Sequence, residues 1–252
     1  MTTFVDARQR VLWERRFYTG MALLVLASVF LGFARTYFLK PWFPEAQQFA
    51  PPEAFFFYIH GVSFTAWILL LVLQPLLVAR RRVDWHRLVG WFGAGLAAVV
   101  IVVGTMGALI AARRPGGFLG VTLPPLQFLV VPLADLALFT VFVVMAIVKR
   151  RDTQSHKRYM LLATIGLLDA AVVRWPFVDM NAAFAGSLFT RADIGVDLFL
   201  VPMVVWDVVS RGRVHPVTLV GGLAVIASQP LRMMLSETSA WMSFATWAVG
   251  AG

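Results

Sequence analysis

The chain has 252 residues, 60% of them apolar and only 14% charged, where an average soluble domain carries about a quarter charged residues. Its 22 basic and 13 acidic residues give a net charge of +9, and it contains no cysteine. This composition excludes an ordinary soluble domain, and with it disulfides, thiolate metal sites, iron–sulfur clusters and cysteine nucleophiles.

Runs of about twenty apolar residues recur along the chain, each long enough to cross a bilayer as a helix. The alternation of period two that a membrane barrel requires is absent. The expected fold is all-α: one integral membrane domain over residues 1–252, a polytopic bundle of seven transmembrane helices. Residues 1–16 are polar and hold Arg8, Arg10, Arg15 and Arg16. Span one is expected at about 18–38. It is long and lacks a small-x-small cleavage site, so it reads as a retained span rather than a signal peptide. A proline-rich loop, residues 39–53, leads to span two at about 55–79.

Span two carries His60, Ser63, Trp67 and Gln74. At about 100° per residue these side chains fall within about 40° of one stripe. A helix surrounded by lipid does not present such a stripe cheaply, so this face should meet protein or a wet cavity. Two readings stand side by side: His60 hydrogen-bonds to a neighbouring helix, or it holds a ligand or cofactor with Trp67 and Gln74. Pro75 removes a backbone donor and should kink the helix.

The basic turn ARRRVDWHR leads into span three, about 88–111, where Gly90, Gly93, Gly95, Gly104 and Gly107 allow close backbone approach. Span four, about 125–148, contains Pro132 and Asp135, and the turn KRRDTQSHKR follows it. Span five, about 159–178, contains Asp169 and Arg174. The loop DMNAAFAGSLFTRAD leads to span six, about 194–210, with Asp197 and Pro202. After SRGRVHP, span seven covers about 216–236 and ends near Arg232 and Glu237. The apolar tail SAWMSFATWAVGAG extends this helix or lies at the interface.

Charge asymmetry sets the expected orientation. The N-terminus and the turns after spans two, four and six hold 15 basic residues; the opposite loops hold 5, namely Arg35, Lys40, Arg113, Arg114 and Arg191. The positive-inside rule then places the N-terminus in the cytoplasm and the C-terminus outside. The basic residues are accounted for by helix ends and anionic lipid, with no call for nucleic acid. Each cytoplasmic turn also ends in a histidine, His86, His156 and His215, which suits either a duplicated hairpin or the same charge rule acting three times.

Ionisable groups inside spans are costly and mark candidate sites. By rise per residue, Asp135 and Asp169 lie roughly 13–15 Å below the outer surface, with His60, Arg174, Asp197 and Arg232 higher. These residues are expected to line a polar cavity open to the outside, walled by spans two, four, five, six and seven. Asp135, Asp169 and Asp197 suit proton or ion binding. His60, Trp67, Gln74, Arg174 and Arg232 suit a cofactor or an anionic ligand such as a carboxylate or haem propionate. Structural ion pairs that fix helix register are the competing account. His86, His156 and His215 are the candidates for a cytoplasmic metal or haem site, whereas two bis-histidine haems cannot be built from the histidines present. No nucleotide loop, HExxH motif or serine elbow occurs. The lysines Lys40, Lys149 and Lys157 all lie at helix ends, so no retinal Schiff base is expected.

The stretch HGVSFTAWILLLVLQPLLVARRRVDWHRLVG, followed by SHKRYMLLATIGLLDAAVVRW, resembles a family of bacterial inner-membrane proteins with a His-Arg-x-x-Gly turn and a later His-Lys-Arg-x-Met turn. The matching residues are His60, Trp67, Gln74, His86, Arg87, Gly90, His156, Lys157, Arg158 and Met160, over about half the chain, residues 56–175. More distantly, the turns are similar to membrane proteins of respiratory oxidase assembly. That resemblance implies a link to haem, copper or quinone chemistry and supplies no catalytic residue. Three functions follow as expectations: a ligand- or redox-cofactor-binding protein tied to respiration, a proton-coupled small-molecule transporter, and a structural or assembly subunit. The last would cover the aromatic surface Trp241, Phe244 and Trp247 with a membrane-protein partner or a second copy of the chain.

Overall fold

The computed structural model describes residues 7–44, 49, 53–118, 121–176, 178 and 191–250. The regular structure among them is helical: α1 (Ala7–Phe33), α2 (Glu53–Ala79), α3 (Val83–Arg113), α4 (Pro125–Phe128), α5 (Val130–Val148), α6 (Thr153–Ile165), α7 (Asp169–Val172), α8 (Arg191–Asp197), α9 (Leu200–Arg211), α10 (Pro216–Ser236) and α11 (Ser239–Val249). Most of the predicted loop at 179–193 lies outside the described residues.

Among the described residues, five stretches are long and apolar enough to cross a membrane: Gln9–Phe38, Glu53–Ala79, Val83–Arg113, Pro125–Val148 and Pro216–Ser236. They correspond to predicted spans one, two, three, four and seven. Their outward faces carry large apolar side chains such as Phe92, Val102, Val144 and Val220, all exposed, which fits contact with lipid. The regions of predicted spans five and six are not continuous helices. Between α6 and α7 the bonding tightens to i→i+3, with Leu167 N–H donating to Thr164 O and Leu168 N–H to Ile165 O. Between α8 and α9 the Phe199 N–H does the same to Val196 O. Such tightened turns inside a span are associated with functional hinges and polar sites.

The hairpin of α2 and α3 shows how sequence dictates packing. A Cβ added at Gly107 would sit 3.2 Å from His60, at Gly104 3.2 Å from Phe64, at Gly93 2.6 Å from Leu70, and at Gly90 3.8 Å from Gln74. Four glycines thus form one side of an antiparallel ladder whose other side is His60, Phe64, Leu70 and Gln74 of α2. Gly95 faces open space and takes no part. On α1 the stripe Tyr18, Met21, Ala22 and Val25 is buried, with the helical i, i+3, i+4, i+7 spacing of a single core-facing side. Gly32 lets α1 lie directly against the backbone of Ala171 in α7. The Trp175 indole N–H donates to Ser28 O at 3.2 Å, tying the same two segments together.

The central core joins α2, α5, α6 and α10 around Trp67, Phe139 and Leu162. Trp67 is edge-on to Phe139, and its indole N–H donates to Thr164 Oγ1 at 3.1 Å, so its one polar atom is satisfied. The chain's tail forms the separate helix α11, started by Thr238, whose hydroxyl accepts from Trp241 N–H. The Arg113 guanidinium donates to Val249 O at 2.8 Å, fixing the end of α11 to the end of α3.

Candidate functional site

The residues with most chemical potential meet where the broken helices cross α10. Asp169 is the first residue of α7 and Asp197 the last of α8, so each stands at a helix interruption. Asp135 projects from the first part of α5, and Gln229 and Arg232 are one turn apart on α10. Arg232 is the hub. Its Nη1 donates to Asp135 Oδ1 at 2.6 Å, and its Nη2 to Asp169 Oδ2 at 2.5 Å and Asp193 Oδ1 at 2.6 Å. Beside it, Gln229 Nε2 donates to Asp197 Oδ1 at 2.9 Å. Three carboxylates therefore share one guanidinium, and Asp193 and Gln229 are only 1% and 2% exposed.

A cavity of about 10 Å³ lies within this group. Its wall includes Asp135, Gly166, Asp169, Val196, Gln229 and Arg232. These residues come from predicted spans four, five, six and seven; span two contributes none to this wall. Three polar atoms of its wall residues are buried without a hydrogen-bond partner: Asp169 Oδ1, Gln229 Oε1 and Arg232 Nε.

The sequence placed Asp135 and Asp169 in one layer and Arg232 in a higher one; the structure brings all three together because the long Arg232 side chain reaches both acids. Asp193 was missed, because it stood in a predicted loop, whereas the chain already forms α8 at that point and buries it. Arg174 does not join Arg232. It donates to Ala170 O at 2.5 Å and lies over the Phe33 ring, 5.1 Å from its centroid.

His60, Trp67 and Gln74 occupy three separate environments along α2. His60 stacks on Phe64 with ring centroids 4.3 Å apart, and its Nδ1 is buried without a partner. Trp67 belongs to the core described above. Gln74, with its amide turned to satisfy both neighbours, donates to His86 Nδ1 and accepts from Gly90 N–H at 3.1 Å.

The three histidines of the basic turns divide into a pair and a single. His86 and His156 stand edge to face with ring centroids 6.3 Å apart, and His156 Nδ1 is 2.9 Å from Ala146 O. His215 instead caps α10, its Nδ1 accepting from Val217 N–H at 3.1 Å. Burial, reinforced by Arg158 and Arg211, holds the His215 imidazole below the usual histidine range. Among the described residues, no group of three or more His, Cys, Asp or Glu side chains is arranged to hold a metal ion.

A second buried charge cluster went unnoticed in the sequence. Arg158 of α6 pairs with Asp207 of α9, both 1% exposed as side chains. Asp207 also accepts from Thr218 Oγ1 at 2.5 Å and from His215 N–H at 3.1 Å. Arg158 Nη1 donates to Gln154 O at 2.8 Å and to its Oε1 at 2.9 Å. Asp207 interrupts the run VPMVVWDVVS, and a lone acid among valines signals a buried partner. Arg158 was hidden among the other basic residues of its turn. Unlike the Arg232 group, this cluster has one acid for one base and no unpartnered atom.

The chain was also compared with known proteins: no family model, curated protein or solved structure matches it.

Proposed function

We propose that the protein is a proton-coupled transporter of small molecules in a bacterial inner membrane, with Asp135, Asp169 and Asp193 around Arg232 as the site that takes up and releases the proton. The supporting observation is the charge count within bonding distance of one guanidinium. Three carboxylates share one guanidinium, whose single positive charge cannot match all of them when they are ionised. An uncompensated buried charge costs several kcal/mol, of the order found when one partner of a buried pair is removed. A site of this composition gains from accepting positive charge and can return it when its surroundings change. The interruptions at Asp169 and Asp197 support the same reading, since transporters build ion sites at broken helices.

In this reading α6–α7 and α8–α9 form the fifth and sixth of seven spans, with the N-terminus cytoplasmic and the C-terminus outside. The absence of native cysteine makes single-cysteine labelling at each terminus a direct check of that topology.

The proton site is tested by stepping the pH of weakly buffered, detergent-purified protein and measuring protons taken up per chain. Wild type takes up a proton that Asp135→Asn and Asp169→Asn lose while remaining folded. Equal uptake by all three proteins would sink the proposal.

A second reading, a haem or metal cofactor on the basic side, draws on the closeness of His86 and His156. An absorption spectrum and metal analysis of purified protein decide it; the absence of both a haem band and a metal would remove it.

A further inference from the structure

The cavity beside Arg232 has a composition that selects its occupant. Three residues of its wall each carry a buried unpartnered atom: Gln229 Oε1 and, while the acid is ionised, Asp169 Oδ1 can only accept hydrogen bonds, and Arg232 Nε–H can only donate. A molecule that donates twice and accepts once satisfies all three. Water does this, and a volume of about 10 Å³ is on the order of what one water occupies. A metal cation offers no acceptor for Nε–H and would face the guanidinium's charge. An apolar occupant would leave all three groups unpaired.

Resting on the proton-site reading above, we propose that this cavity holds one bound water and that this water is the port through which the proton reaches the carboxylate cluster. Asp169 Oδ1 is, among the described residues, the buried carboxylate oxygen with no hydrogen bond. Its other oxygen is held by Arg232 Nη2. The water is thereby placed to serve a carboxylate oxygen of the site that is free to receive a proton. In the transfer, a proton from the aqueous phase joins the water, an O–H bond forms on Asp169 Oδ1, an O–H bond of the water breaks, and the water is left neutral. The charge of the cluster rises by one.

The titratable groups lining the cavity are Asp135, Asp169 and Arg232, with Asp193 sharing the guanidinium nitrogen that holds Asp169. Gln229 is the positioning residue. Its Nε2 is anchored on Asp197, which is only half-buried, and that anchor turns Oε1 toward the water. Gln229 thus joins the more exposed acid to the enclosed ones without itself carrying charge.

The test combines infrared difference spectroscopy in ¹⁸O-labelled water with the rate of proton uptake after a pH jump. Wild type should show an isotope-sensitive band of a single bound water that changes on protonation. Gln229→Met keeps the length of the side chain and removes its oxygen. It should lose the band and slow uptake at least tenfold, with the same number of protons bound at equilibrium, and Gln229→Glu should restore part of the rate. Lack of any isotope-sensitive band in wild type would overturn the inference, whatever the variants do. So would a Gln229→Met protein with an unchanged rate or an unchanged band. A matching fall in the number of protons bound would show that Gln229 merely holds the site together, and would also overturn it. None of these outcomes touches the proton site itself, which fails if Asp135→Asn and Asp169→Asn take up as many protons as wild type.

Discussion

Arg158 and Asp207, 49 positions apart in the chain, meet as a buried ion pair in which the acid takes further hydrogen bonds from Thr218 and from the His215 backbone. Removing one member strands the other in a low-dielectric interior. Arg158→Leu or Asp207→Leu alone should cost about 3–5 kcal/mol, while the double variant should cost less than either, because no lone charge remains. Thermal midpoints of the three variants in one detergent check this. A double variant worse than both singles would mean that the pair contributes more than mutual neutralisation.

Arg232 carries the opposite expectation for pH. Arg232→Gln leaves Asp135, Asp169 and Asp193 facing one another without a cation. At pH 7 the loss should be about 3–5 kcal/mol, and it should shrink as acid protonates the carboxylates. Arg232→Lys should fall between the two, since an ammonium keeps the charge but lacks the two-nitrogen fork. Midpoints taken from pH 7 down to pH 4 give the measurement; a deficit for Arg232→Gln that does not narrow with acid would contradict it.

His215 provides a pH-dependent helix cap outside the spans. Its Nδ1 must be unprotonated to accept from Val217 N–H, and folding lowers the affinity of the ring for a proton. A histidine with a lowered folded pKa stabilises fully above its unfolded value of about 6.5, and that contribution is lost as pH falls through the lower folded value. Asn at the cap accepts the same bond without titrating. The stability gap between wild type and His215→Asn should therefore move in favour of Asn as the pH drops from about 6.5, and parallel midpoint curves would rule the cap's titration out.

Gly32 and Gly95 separate packing from propensity. A Cβ at Gly32 runs into the backbone carbonyl of Ala171, which cannot move aside as a flexible side chain does. Gly32→Ala should cost about 1–3 kcal/mol. Gly95 has nothing within 4 Å, so Gly95→Ala should be neutral or gain up to about 1 kcal/mol from helix propensity. Equal effects at the two positions would undo the assignment of Gly32 as a contact point.

Much of this arrangement could be read from residue order. Runs of apolar side chains marked five long helices, and the glycines of α3 announced a close partner, which proved to be a mixed polar and apolar face of α2. Asp135, Asp169 and Arg232 were recognisable because charge inside an apolar run has to find company. What periodicity could not show was where a helix stops being regular. Hydropathy averages over a window wider than the turns at 166–168 and 198–199, so segments five and six read as unbroken. For the same reason Asp193 passed for a loop residue. Arg158 was counted as a solvated turn charge, since nothing local distinguishes an arginine that points into the bundle from its neighbours that point away.

The two tightened turns also divide segments five and six into halves, and these halves are fastened independently to the two ends of α10. On one side Arg158, Asp207 and Thr218 clamp α6, α9 and the start of α10. On the other Arg232 clamps α7, α8 and the end of α10 to α5. A change of charge at the second fastening can loosen one end of the bundle while the first keeps the other end in register. Such a molecule can flex about its middle without coming apart.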